Sequence, residues 1–122
     1  MGHTLEVVVV DDEEQITELL KTYIRYTDQE TSIHTFNDST IAKEFIAHNL
    51  VDVLITDYRM PRFDGLQLME SAPRQIRKIM ISGYDSNIVE EKLQKLNATF
   101  FEKPVNLRAL GKIISEQREK LQ

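Results

Sequence analysis

A chain of 122 residues suits a single domain with room for a real core. Its 15 Lys+Arg against 20 Asp+Glu leave a formal charge of -5, which argues against direct nucleic-acid binding, because phosphate recognition needs a basic face. Zero cysteines exclude disulfides, thiol catalysis and thiolate metal sites, and fit a reducing compartment.

With 41% hydrophobic and 29% charged residues, 4 Gly and 3 Pro, the composition is that of neither a disordered nor a collagen-like chain. The opening MGHTLEVVVV lacks a basic segment, and its apolar run is too short for a secretory signal or a membrane span. A cytoplasmic location without membrane contact is the expectation. Gly2-His3 also fits a cloning remnant, so residues 1–3 are set apart within the single expected domain, 1–122.

Leu5–Val10 is an apolar, β-branched run that reads as a strand, and it ends in Asp11-Asp12-Glu13-Glu14. Ile16, Leu19, Leu20, Tyr23 and Ile24 recur at helical spacing until Thr27-Asp28 ends the pattern. Thr31–Phe36 alternates as a strand, and Asn37-Asp38-Ser39 supplies a turn and a helix cap. Ile41, Phe45 and Ile46 mark the next helix, which runs out near Asn49.

Val53, Leu54 and Ile55 are apolar on both faces, as in the middle of a parallel sheet, and the strand stops abruptly at Asp57. Met60-Pro61 and Asp64-Gly65 read as turn chemistry, and Leu66, Leu68 and Met69 as a short helix stopped by Pro73. Lys78–Ser82 is a fourth strand, followed by Gly83. Val89, Leu93 and Leu96 predict a fourth helix, and Ala98–Phe101 a brief fifth strand that Lys103-Pro104 interrupts. A last helix starts at Leu107, Leu110, Ile113 and Ile114 and is expected to be still running at Gln122, so that the natural chain would extend further. A frayed end reads equally well. Five βα units with short links predict a parallel sheet with helices on both faces.

In such a sheet, ligands and chemistry gather beyond the carboxyl ends of the strands. There the strands deliver Asp11 and Asp12, Asp57, Ser82 and Lys103. Clustered carboxylates repel one another unless a cation compensates, and oxygen-only ligands suit a hard ion such as Mg2+. Carboxylate, Mg2+, hydroxyl and lysine together resemble a phosphoryl-transfer site. Taken singly, Asp11-Asp12 would be a helix cap, Ser82 a turn former and Lys103 a solvated lysine; their convergence favours the site. His3, His34 and His48 lack ligand spacing and receive no role.

The set Asp11-Asp12, D57-x-x-M-P-x-x-D-G, Ser82-Gly83 and Lys103-Pro104 resembles the receiver domain of two-component response regulators, over essentially the whole chain. The resemblance implies a flavodoxin-like, doubly wound five-stranded α/β fold, (βα)5, with strand order 2-1-3-4-5. It implies that Asp57 accepts a phosphoryl group from the phosphohistidine of a sensor kinase or phosphotransfer protein. Asp12, Asp57 and the backbone carbonyl of Arg59 would bind Mg2+ directly, and Asp11 largely through water. Lys103 and Ser82 would contact phosphoryl oxygens, and Pro104 would follow a cis peptide bond. Phe100 stands at the switch position; it answers equally to a core aromatic, and where Tyr is usual it lacks a hydroxyl. Gly83 would leave the rim of the site open.

The resemblance also implies a regulatory domain rather than an enzyme with an external substrate. Phosphorylation would switch the face of the fourth helix, fifth strand and fifth helix, to control an output domain after residue 122, a partner, or a homodimer. A haloacid-dehalogenase-like phosphohydrolase is the enzymatic alternative, but Arg59 stands where its second acid belongs. A flavodoxin-like cofactor carrier lacks its phosphate loop here, and a phosphate-independent scaffold is the remaining alternative.

Overall fold

The computed structural model describes residues 4–83 and 90–121. Gly2, His3, Val89 and Gln122, which figure in the sequence reading, lie outside them. In chain order the elements are β1 (Leu5–Val10), α1 (Glu14–Thr27), β2 (Thr31–Phe36), α2 (Ser39–His48), β3 (Val53–Asp57), α3 (Gly65–Ser71), β4 (Arg77–Ser82), α4 (Glu90–Lys95), β5 (Thr99–Glu102) and α5 (Leu107–Lys120). The strands form one parallel sheet in the order β2-β1-β3-β4-β5. This is the flavodoxin-like arrangement that the sequence implied.

Period-two alternation sends the side chains of each strand to two separate cores. Val8, Val10, Leu54 and Met80 pack against Ala42 and Ile46 of α2, Leu68 and Met69 of α3 and Leu93 of α4. Val7, Val9, Ile55, Ile79 and Ile81 pack against Leu20 and Ile24 of α1 and Leu110 and Ile114 of α5. Every residue of β3 is buried, as expected of a strand covered on both faces. Burying one such Val, Leu or Ile contributes about 1.5–3 kcal/mol.

α2, α3 and α5 begin where the sequence supplies side-chain caps. Asp38 accepts the Thr40 amide at 2.8 Å, and Asn106 accepts the Ala109 amide at 3.0 Å. Asp64 and Gln67 make a reciprocal capping box, with bonds of 2.8 and 2.9 Å. Gly65 is demanded by space, since a Cβ there would lie 2.1 Å from the Asp57 carbonyl oxygen. Its amide donates to Tyr58 O at 2.7 Å, pulling the start of α3 tightly under the end of β3.

Some expectations shift. Leu19 and Ile41, assigned to inward stripes, are 50% and 58% exposed. The buried positions of α2 are Ser39, Ala42 and Ile46, and Ile41 lies about 100° of helical turn from Ala42. β5 is one residue later than the apolar run suggested, α4 stops at Lys95 before Leu96, and α5 closes at Lys120 with the Leu121 amide donating to Arg118 O at 3.0 Å. Among the described residues, no helix is long and apolar enough to cross a membrane.

Candidate functional site

The strand order decides which strand ends meet. β1 lies beside β3 with Val10 opposite Thr56, so Asp11 follows one strand immediately next to Asp57 at the end of the other. This is the point where the sheet order reverses direction, the usual crevice for a ligand in an open parallel sheet. Carboxylate oxygens of Asp11, Asp12 and Asp57 all lie within 4.8 Å of one another. Asp11 and Asp57 are buried, whereas Asp12 is exposed at the mouth.

Lys103 comes from two strands away, and its long side chain spans the end of β4. Its Nζ donates to Asp11 Oδ2 at 3.0 Å and lies 3.4 Å from Asp57 Oδ1 and 4.0 Å from Glu13 Oε1. The Lys103 amide also donates to Ser82 O at 2.9 Å, fixing the turn after β5 against the end of β4. The Lys103-Pro104 bond is cis, as the resemblance implied. Asp12, Glu13, Asp57, Arg59, Gly83 and Lys103 line an open cleft of about 490 Å³. A Cβ on Gly83 would meet nothing within 4 Å, so this rim is open.

Burial first, and then the charge of Asp11, pushes the Asp57 carboxyl above its usual range. Burial also raises Asp11, against the opposing Glu13 amide and Lys103. Burial alone would lower Lys103, but its hydrogen bond to Asp11 and the charges of Asp11 and Asp57 outweigh that and raise it. Among the described residues, the carboxylates of Asp11, Asp12 and Asp57 crowd around the Lys103 ammonium, with Glu13 and Arg59 also lining the cleft. An all-oxygen donor set with two buried members and one exposed fits a hard divalent cation.

The sheet register sets Ser82 one row beyond Asp57, fully buried and opposite Glu102. Phe100 is half-buried against the core under α2, α3 and α4. Arg59 lines the cleft, and its guanidinium stands 5.4 Å from the centre of the Tyr58 ring. The sequence reading gave no site role to Glu13, which reaches toward Lys103, and read Asn37-Asp38-Ser39 as a turn and a helix cap. Asn37 Nδ2 donates to the Asp11 carbonyl at 2.8 Å, and Ser39 Oγ donates to Pro61 O at 2.8 Å. Both contacts join segments remote in sequence, which no local pattern announces.

A second, mostly apolar groove of about 500 Å³ shares Lys103 with the cleft. Ile16, Leu19 and Leu20 of α1 form one wall, and Pro104, Val105 and Leu107 the other. The exposure of Leu19 thus belongs to a groove at the mouth of the acidic site.

Residues 7–115 match the response regulator receiver domain family. The chain is 36% identical over 73 residues to the regulatory protein VanRc of Enterococcus gallinarum, covering 60% of this chain and 29% of that protein. It is 30% identical over 112 residues to an uncharacterized response regulatory protein of Staphylococcus epidermidis, covering 89% of this chain and 45% of that one. The chain thus spans less than half the length of these curated relatives. A crystal structure of a CheY-like response regulator receiver domain protein from Methanospirillum hungatei superposes with a TM-score of 0.86 at 22% identity, covering 98% of this chain and 97% of that one. By family match over nearly its full length, this chain belongs to the receiver domains of two-component response regulators.

Proposed function

We propose that Asp57 accepts a phosphoryl group from the phosphohistidine of a sensor kinase or phosphotransfer protein. A carboxylate oxygen of Asp57 attacks phosphorus, the P–N bond breaks, and its electron pair leaves on the imidazole, giving an aspartyl phosphate. A Mg2+ held by Asp12, Asp57 and the Arg59 backbone carbonyl, with Asp11 acting through water, would neutralise charge developing on the phosphoryl oxygens. Lys103 pairs with one phosphoryl oxygen, and the Ser82 hydroxyl donates to another. The observation that carries this reading is the meeting of Lys103 Nζ with both Asp11 and Asp57, beside Asp12.

The groove between α1 and the β5–α5 turn supplies the docking face for the histidine-bearing partner, because it opens onto Lys103 beside the acceptor. Once phosphate forms, Ser82 shifts toward it and Phe100 turns further into the space released, changing the face of α4, β5 and α5. That face then controls a partner, a homodimer or an output domain after residue 122, in line with relatives more than twice as long as the matched region. The chain acts as a cytoplasmic regulator with no external substrate to turn over.

Incubation with acetyl phosphate and Mg2+ should add one phosphoryl group per chain, read by intact mass. Asp57→Asn should add none, and equal incorporation by that variant would remove Asp57 as acceptor. Partner binding that is the same before and after phosphorylation would instead favour a phosphate-independent scaffold.

A further inference from the structure

The turn Asn37-Asp38-Ser39 touches both loops that carry the acidic site. On one side Asn37 Nδ2 donates to Asp11 O at 2.8 Å and to Thr17 Oγ1 at 3.2 Å, holding the β1–α1 loop that presents Asp11 and Asp12. On the other side Ser39, only 3% exposed, bridges the β3–α3 loop with a single hydroxyl. Its Oγ donates to Pro61 O at 2.8 Å and accepts the Phe63 amide at 3.2 Å.

Between those two bonds lies Arg62, at φ 72°, a left-handed conformation that non-glycine residues rarely adopt. Nothing in the side chain of Arg62 favours that backbone; its contact, to Asp38 Oδ2 at 3.6 Å, joins two solvent-accessible groups. The two part-buried hydrogen bonds at the Ser39 hydroxyl flank the strained residue on both sides and resist relaxation of the loop. Arg59, which carries the expected carbonyl ligand, is two residues before Pro61.

We propose that Ser39 is a positioning residue for divalent-cation binding: its hydroxyl, bonded to Pro61 and Phe63, locks the β3–α3 loop so that the Arg59 carbonyl is set relative to Asp12 and Asp57. This rests on the metal-dependent reading above. Asn37 holds the opposite loop, so α2 begins as a two-sided clamp on the metal ligands. Groups hydrogen-bonded directly to metal ligands change metal affinity about 10–100-fold when removed; Ser39 acts through the loop that carries the ligand, which puts its effect at the lower end.

The test is Mn2+ binding, followed by electron paramagnetic resonance, with Mg2+ as competitor. Ser39→Ala should weaken Mn2+ binding about 10-fold, and Ser39→Thr, which keeps the hydroxyl, should restore it. Phosphorylation by acetyl phosphate should then show a raised metal requirement in Ser39→Ala, with the rate recovered at saturating Mg2+. Melting in EDTA establishes that each variant is folded; if Ser39→Ala is not, Ser39→Cys carries the comparison. Wild-type affinity in the folded alanine variant overturns the proposal. If the wild-type protein binds no Mn2+, the metal-dependent function itself falls, and this proposal with it.

Discussion

Asp57, the proposed phosphoacceptor, is costly to the fold that presents it. Its carboxyl is raised above the ordinary 3.8 by burial and by Asp11, so folding makes ionisation of this group harder than it is in the unfolded chain. Such a group contributes stability below its unfolded pKa and loses that contribution as pH rises through the folded value. At neutral pH, without metal, the ionised group therefore weakens the fold. Asp57→Asn should raise the Tm of the metal-free protein at pH 7 by a few degrees, since about 1 kcal/mol shifts Tm by about 2–8 °C across domains that bracket this size. The gain should fade as pH falls toward the unfolded value of 3.8; a difference independent of pH would contradict the electrostatic origin. Gly65 is constrained sterically, because a methyl group on its Cα would sit 2.1 Å from Asp57 O. Gly65→Ala should cost about 3 kcal/mol or more in urea unfolding, above the usual range for overpacking because the obstacle is backbone. It should also impair phosphorylation, since relief of the clash requires moving the end of β3.

Among the elements, α3 depends on its start more than on its length. Seven residues are too few for a helix to persist unaided, and its capping box satisfies amides that would otherwise lack partners. Asp64→Ala should destabilise the protein by about 1 kcal/mol in urea unfolding, with an unchanged slope against denaturant. A neutral result would mean that burial of Leu66, Leu68 and Met69 alone holds the helix. The exposed side of α1 belongs to a different physics: Leu19 stays half in solvent because it faces a groove, with the core stripe filled by Leu20 and Ile24. Helical periodicity in a sequence reports an apolar stripe, but not whether one edge of it meets the protein's own core or an open groove.

At the scale of the molecule, the proposed cation binding is tested through its linkage to folding at the clustered carboxylates. A cation that binds the folded chain alone stabilises it by RT ln(1 + [L]/Kd), about 2.7 kcal/mol at 100 times Kd. Mg2+ should therefore raise the Tm, EDTA should reverse the rise, and Asp12→Asn should abolish most of it while leaving the metal-free melt close to wild type. A Mg2+ response that survives in Asp12→Asn would place the ion elsewhere.

Strand and helix identity were readable from local pattern. The β-branched run Leu5–Val10, the alternation of Thr31–Phe36, the doubly apolar Val53–Ile55 and the cap within Asn37-Asp38-Ser39 are properties of neighbouring residues. So was the delivery of Asp11, Asp12, Asp57, Ser82 and Lys103 to strand ends, because parallel topology sends every strand the same way. Which of those ends touch was settled only by the packed sheet: β1 beside β3 joins Asp11 to Asp57, and the reach of Lys103 across β4 closes the cluster. The clamp of Asn37 and Ser39 on two distant loops, and the tight space at Gly65, likewise exist only after folding. Short-range preferences are encoded in consecutive residues, whereas a hydrogen bond across 22 or 26 positions depends on register and packing that no single stretch contains.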